Sequence, residues 1–325
     1  GEEVCLEAFA ADAVPADVVV DSEIQDIEQV SKVLNRMRKK LSKKVKKVAI
    51  AVSGSTVFSK IIQMDQGLTD MELEQQIEIE ADSLIPYPLD EVFIDFEVIG
   101  ESSLNKGKSD VLLSAARKQI VNGRVDALSE GGFNALIVDI EGFALGRAVK
   151  DSLKEEDKDK TVACIDIGAN QTLFSVLSNG EVIFSNDQVF GVSQLIQSVC
   201  SIYGITTKEA VTKLKDDDWP ENFENEVLMP YQMNLVQQIK RMLQMYTTSS
   251  NNEPFDLVML SGDGSKMEGF TEMVQESIAP EVRSANPFKE ITLSEDIDKE
   301  AIEGVGPEFM VAFGLALRRF SSCHI

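Results

Sequence analysis

The stretch that most constrains this chain is CIDIGANQTLFSVLSNGEVIFSN, residues 164 to 186. Three apolar runs, 162–167, 172–177 and 181–184, are separated only by short polar turns. Runs so short and so close predict an antiparallel meander of two successive hairpins. The first turn carries the chemistry. Gly168 removes a side chain where a backbone amide would approach a ligand. Asp166, at a strand end, could hold a metal-bound water. Asn170 and Gln171 can donate hydrogen bonds from the tip, and a tight turn with free amides makes a concave anion site. Asp-x-Gly is a common tripeptide, and taken alone an ordinary hairpin accounts for it.

At 325 residues the chain predicts two domains, each with its own core. Lys plus Arg is 31 against 55 Asp plus Glu, a net charge of −24. That balance argues against general nucleic-acid binding, which needs basic surface to neutralise phosphates. The four cysteines are far apart and the one histidine, His324, is near the C-terminus, so no zinc-ligand spacing exists. The thiols are expected to be buried small hydrophobes in a reducing compartment. With no run long enough to span a bilayer and no secretory signal, the protein is expected to be cytoplasmic.

In chain order, residues 2–10 alternate as a strand and 11–22 read as a linker. Residues 26–41 carry apolar side chains at helical spacing and end in a basic run, Arg36, Arg38, Lys39 and Lys40, continued by Lys43, Lys44, Lys46 and Lys47. In so acidic a chain this is a local field reversal. It fits either an anionic lipid or acidic partner, or a solvated helix end with favourable dipole charges. Strands are predicted over 45–52, 56–64, 91–99 and, as a buried strand, 110–114. Thr69 and Glu72 form a capping box for a helix that Pro86 and Pro88 stop. Helices are predicted over 117–130 and 140–153. KEEDKDK, 154–160, reads as a solvated charge run at a domain boundary. A helix marked by Val192 to Tyr203 and a shorter one over 207–215 follow. Then comes a long helix that Pro230 should bend or split. The buried strand 256–260 runs into Ser261-Gly262-Asp263-Gly264-Ser265, with a helix expected from Lys266. Strand, glycine loop and helix N-terminus together suit a nucleotide. Residues 285–299 read as irregular. Pro307 opens a final helix with a face of Phe309, Phe313, Leu317 and Phe320.

Several stretches resemble the actin-like ATPase superfamily, FtsA within it, and more closely the PilM family of type IV pilus assembly. They are AVSGSTVFSKIIQM (51–64), EADSLIPYPLDEVFIDFEV (80–98), VLLSAARK (111–118), VDIEGFALGRA (138–148), CIDIGA (164–169) and GLALR (314–318). The resemblance covers nearly the whole chain, and EADSLIPYPLDEV is its most specific part. It implies an α/β, actin-like (duplicated ribonuclease H-like) fold of two domains with an FtsA-type 1C insertion. Residues 1–20, 115–156 and 303–325 would be subdomain 1A and 21–114 subdomain 1C. Residues 157–302 would be domain 2, with 2B around 204–254. By resemblance Asp166, Gly168, Ala169, Asn170 and Gln171 fall on the second phosphate loop, with Asp166 reaching magnesium through water. Gly262, Asp263, Gly264 and Lys266 fall on the adenosine loop. The implied cofactor is ATP or ADP with magnesium in the complete protein, while this chain by itself is left open.

The implied partners are the N-terminal cytoplasmic peptide of PilN, held in a groove between 1A and 1C, and the pilus motor ATPases. The implied place is the cytoplasmic face of the inner membrane, with indirect membrane association and no nucleic acid. The family opens with a hairpin carrying a first phosphate loop. That hairpin would precede Glu2, so a truncated chain, at most a weak ATPase, is expected. Asp263 stands where the family has glycine, and Lys213 or Lys215 is near where a base-contacting lysine would sit. Two other readings use the same fold: a small-molecule kinase, with Asp139 as candidate acid or simple helix N-cap, and an FtsA-like filament former.

Overall fold

The computed structural model describes every residue except 1–3, 16, 42–44, 54–55, 103–104, 217–218, 250–253, 290, 303 and 321–325. The expectations for Glu2, Lys43, Lys44, Cys323 and His324 lie outside the described residues. The chain divides into two compact units, Gly1–Glu7 with Glu141–Ile325, and Ala8–Ile140. Of the strand expected over 2–10, only β1 (Cys5–Leu6) forms among the described residues, and it belongs to the first of these units.

The Ala8–Ile140 unit has an early hairpin, β2 (Val19–Val20) and β3 (Glu23–Ile24), whose first strand lies in the expected linker. Helix α1 (Ile27–Leu41) follows, then β4 (Lys47–Val52) and β5 (Val57–Asp65). Helix α2 (Asp70–Leu84) starts at the expected capping box: the Thr69 hydroxyl accepts from the Glu72 amide, and the Glu72 carboxylate accepts from the Thr69 amide. After Pro86 and Pro88 the chain enters β6 (Val92–Glu101) and β7 (Lys108–Arg117). It closes with α3 (Lys118–Gly131), stopped by Gly132 in the left-handed region, and β8 (Asn134–Ile140). β7 lies between β5 and β6, antiparallel to both. It is not buried on both faces, as its sequence suggested. Val111, Leu113 and Ala115 alternate into a core with Leu73, Ile77 and Ala81 of α2. The short run hid the alternation because Leu112 and Ala116 are apolar too.

In the larger unit, α4 (Glu141–Ser152) precedes the meander, β9 (Val162–Ile167), β10 (Thr172–Ser178) and β11 (Glu181–Gln188). Asn179 and Gly180, both at positive φ, make the second turn, as the Asn-Gly pair predicted. Helices α5 (Val192–Tyr203), α6 (Thr207–Asp216) and α7 (Met229–Ser249) follow. Pro230 lies in the first turn of α7, directly after a π-helical turn, Glu224–Leu228. The ring has no N–H and crowds the carbonyl four residues back, which a widened turn accommodates. Then come β12 (Leu257–Ser261), α8 (Phe270–Ser277), β13 (Glu281–Ser284), β14 (Thr292–Leu293), α9 (Lys299–Ile302) and α10 (Met310–Ala316). The sheet order is β11-β10-β9-β12-β13, with β9, β12 and β13 parallel. β14 pairs with β1. After α10 the chain tightens into a 3-10 turn, Leu317–Phe320. That changes the angular step, so Met310, Phe313 and Leu317 are buried while Phe320 is half exposed.

Two sequence expectations fail in this unit, the second because distant chain is brought close. Cys5 is exposed, since β1 is an edge of two residues. KEEDKDK is not wholly solvated. Asp157 has no solvent-exposed side chain and takes Lys160 at 2.6 Å and Arg283, from β13, at 2.5 Å. The Lys160 hydrogen bond, and then Arg283, hold its carboxyl below the usual range against the opposing effect of burial. A lowered folded pKa gives stability that is present above the ordinary carboxylate value and lost as pH falls through the folded one. Asp157→Ala is expected to cost roughly 2 kcal/mol at neutral pH, between exposed and fully buried pairs. The gap from wild type should shrink in acid. Denaturant midpoints at two pH values check it.

Candidate functional site

The site is built by strand register. β9 and β12 are parallel neighbours, with Asp166 opposite Ser261, so the loops after both strands leave the sheet side by side. They touch through Ile167. A Cβ on Gly262 would lie 2.4 Å from the Ile167 carbonyl oxygen, and one on Gly264 would lie 2.3 Å from Ile167 Cγ2. Gly262 is also at φ +81°. Close approach and a left-handed backbone together demand glycine there.

Asp166 is half-buried at the end of β9, and the Ser261 hydroxyl donates to its Oδ2 at 2.7 Å. Burial pushes the carboxyl up to about 6, against the opposing Ser261 hydrogen bond. Beneath it, burial and then the Asp166 charge push the Cys164 thiol far up, so that sulfur is an inert packing group. A desolvated carboxylate with a hydroxyl beside it, and no salt bridge among the described residues, fits a site that gains a cation. No group of three or more His, Cys, Asp or Glu side chains suits a metal among the described residues. Magnesium would therefore be held mainly by phosphate oxygens and water, its usual preference.

The first turn differs from the expected ring of free amides. The Gly168 amide donates to the Gln171 carbonyl at 3.0 Å. The Gly168 and Ala169 carbonyls accept from the Val192 and Ser193 amides at 3.1 and 2.8 Å. Those are the first amides of α5, so the helix N-terminus docks on the turn. Gly191 permits the docking, since a Cβ there would lie 2.4 Å from the Gly168 oxygen. Ala169 and Asn170 stay exposed at the tip, whereas Gln171 Nε2 turns to Glu141 Oε2 at 3.0 Å.

The second loop differs too. No helix starts at Lys266. Residues Asp263–Lys266 form a single 3-10 turn, closed by the Ser265 amide and hydroxyl on the Gly262 carbonyl, and α8 begins at Phe270. Lys266 lies between Asp263, at 3.0 Å, and Glu308. Burial alone would lower its ammonium, but hydrogen bonds to Glu308 and Asp263 prevail and hold it above the usual value. The Asp263 charge is thereby paired within the loop. The Gly262 amide donates to the Pro307 carbonyl at 2.8 Å, tying the loop to the turn that opens α10.

Of the lysines considered for base contact, Lys213 lies over the Trp219 ring at 5.8 Å, and the side chain of Lys215 lies outside the described residues. Asp139 accepts from the Ile140 amide at 2.8 Å.

Ser261, Gly191, Glu308 and Tyr231 were not singled out by sequence. Gly191, just before an apolar-periodic helix, left a readable sign. Tyr231, one of two tyrosines in α7, left only the helical spacing of a core position. It is buried, and its hydroxyl has no hydrogen-bond partner among the described residues. Burial, then the Asp263 charge, push the phenol up to about 12. Tyr231→Phe removes an unsatisfied buried hydroxyl and is expected to stabilise the protein by about 1 kcal/mol. Thermal unfolding of both forms checks this, and a loss of stability would mean that the hydroxyl has an ordered partner.

The family described as type IV pilus assembly protein PilM matches residues 1–320. A solved PilM-PilN type IV pilus biogenesis complex is similar at 21% identity and a TM-score of 0.83, covering 99% of this chain and 94% of that one. The ethanolamine utilization protein EutJ from Carboxydothermus hydrogenoformans is similar at 15% identity and a TM-score of 0.54, covering 93% and 78%. MreB5 of Spiroplasma citri bound to ADP is a weaker likeness, at 12% identity and a TM-score of 0.47, covering 92% and 77%. The fold is actin-like.

Proposed function

This chain belongs to the PilM family of type IV pilus assembly proteins, and from that premise we propose that it is a cytoplasmic, nucleotide-binding adaptor holding the N-terminal tail of PilN. The match over residues 1–320 carries this reading. The likeness to a PilM-PilN complex supports the choice of partner. In this role the adaptor links the inner-membrane complex to the pilus motor ATPases and works at the inner face of that membrane. Residues 1–20, 115–156 and 303–325 would be subdomain 1A and 21–114 subdomain 1C. Residues 157–302 would be domain 2, with 2B around 204–254.

The convergence of the two loops on Ile167 supports ATP or ADP as the ligand. Ala169 and Asn170 at the first tip would face phosphate, while Gly262 and Gly264 let the second loop lie close against the first. Asp166 would orient a water of the magnesium ion, and the ion would neutralise phosphate charge. Lys266 keeps the Asp263 carboxylate from opposing the nucleotide. Hydrolysis by such an adaptor is slow, because the nucleotide's role is to set a conformation.

Calorimetric titration of a synthetic PilN tail peptide, with and without ATP and magnesium, tests the proposal. Binding of both ligands is expected, and failure of the peptide to bind overturns the adaptor reading. Phosphorylation of sugars or carboxylates would favour the kinase reading instead. Nucleotide-dependent growth in light scattering would favour a filament.

A further inference from the structure

The charge reversal at the end of α1 has a tertiary setting. Dipole charge accounts for Arg38, Lys39 and Lys40 in the last helical turn. It does not account for Lys46 and Lys47, which lie just before β4 and at its first residue. The turn after α3 brings the two groups together. A Cβ on Gly131 would lie 2.7 Å from Leu34 Cβ, and one on Gly132 would lie 2.9 Å from the Arg38 guanidinium carbon. The Asn134 amide donates to the Lys46 carbonyl at 2.6 Å. The end of α1 and the start of β4 therefore flank one turn of the Ala8–Ile140 unit.

The cations here differ in what they do. Arg36 is paired with Asp12 at 2.8 Å, and Lys40 stands 3.9 Å from the same carboxylate. Arg38 is half-buried against Gly132. Lys39, Lys46 and Lys47 are exposed and make no ion pair among the described residues, and exposed Val45 lies beside them. Arg36 is thus committed to Asp12 and Arg38 to the turn, and the exposed charges left without an ion pair among the described residues are lysines.

We propose that this end of the unit is a contact surface for an anionic lipid bilayer, with Lys39, Lys46 and Lys47 facing the headgroups. Flexible, point-charged lysines suit a diffuse field of headgroups, whereas a defined carboxylate on a protein partner would favour the planar fork of arginine. In a chain of net charge −24, the rest of the protein is more acidic still and is repelled by the same surface. The repulsion sets one orientation. The inference rests on charge placement and stands apart from the pilus reading.

Co-sedimentation of the whole chain with vesicles tests it. The vesicles are phosphatidylcholine alone, or phosphatidylcholine mixed with phosphatidylglycerol. Binding is expected only with phosphatidylglycerol and should weaken steeply with added salt. The variant K39E/K46E/K47E, with an unchanged circular dichroism spectrum, is expected to lose about tenfold or more in binding. K208E, a reversal on exposed α6, should bind as wild type does. Absence of binding to phosphatidylglycerol vesicles overturns the proposal, as does equal binding by the triple variant or equal loss by K208E. Displacement by millimolar inorganic phosphate would instead make this a small-anion site. Retention on polyglutamate without vesicle binding would make it an acidic-protein contact. Either result overturns the lipid assignment.

Discussion

Replacing Gly314 with alanine is expected to destabilise the protein by roughly 3 kcal/mol, although alanine is the better helix former. Gly314 is buried in α10 where that helix crosses α4. An added Cβ would lie 1.8 Å from the Ala144 carbonyl oxygen and 2.6 Å from its carbon. Those are backbone atoms of a buried helix, so no side chain can swing aside. The helices have to separate, and the hydrogen bond from Arg147 Nη1 to the Gly314 carbonyl, 2.9 Å long, goes with them. The same substitution at Gly123, inside α3, meets nothing within 4 Å and is not at positive φ. There Gly→Ala should stabilise by about 0.5–1 kcal/mol. Denaturant unfolding of the two variants checks the pair. Equal and small effects of one sign would show that α4 and α10 are not packed this closely.

Asp166→Asn is expected to stabilise the ligand-free protein at neutral pH while abolishing tight binding of ATP with magnesium. The carboxyl is pushed up to about 6 by burial, so the folded state holds its proton more tightly than the unfolded chain does. The stability linked to that proton is complete below the ordinary carboxylate value and is lost as pH rises from about 4 to about 6. Above that range the native protein carries a desolvated charge. Asparagine removes the charge and can still accept the Ser261 hydrogen bond. The gain should be about 2 kcal/mol at pH 7 and near zero at pH 4. The opposite outcome is expected for ligand: Asp166→Ala should weaken nucleotide binding more than Asp263→Ala, because Asp263 is already paired with Lys266. Melting temperatures across pH and calorimetric titrations read the two effects. A variant less stable at pH 7, or equal binding losses at the two positions, would remove Asp166 from the role assigned to it.

The sequence by itself determined what local rules govern. The meander followed from apolar runs separated by turns too short for anything but hairpins, and Asn179-Gly180 took the left-handed turn that the pair prefers. The Thr69 and Glu72 capping box opened α2 where it was read. Stretches that carried the family likeness are also packing motifs. In EGFALG, Gly142 and Gly146 stand one helical turn apart, where added Cβ atoms would lie 2.0 Å from Ser185 Oγ and 2.1 Å from Val182 Cγ2. Such glycines are visible in sequence before their partners are.

Tertiary structure alone decided which distant groups meet. No local pattern placed Arg283 on Asp157, Ser261 on Asp166 or Glu308 on Lys266, because each pairing joins residues far apart in the chain. Strand register and sheet order set those meetings, and sequence periodicity reports only which face a residue takes. The same limit hid the fate of the loop groups. Sequence shows that Gly168 and Gln171 are in a turn. Only the docked start of α5 and the nearby Glu141 show that the turn's carbonyls and the glutamine side chain are already engaged. A backbone polar group takes whatever partner the fold brings within reach, and that choice is made by packing at long range.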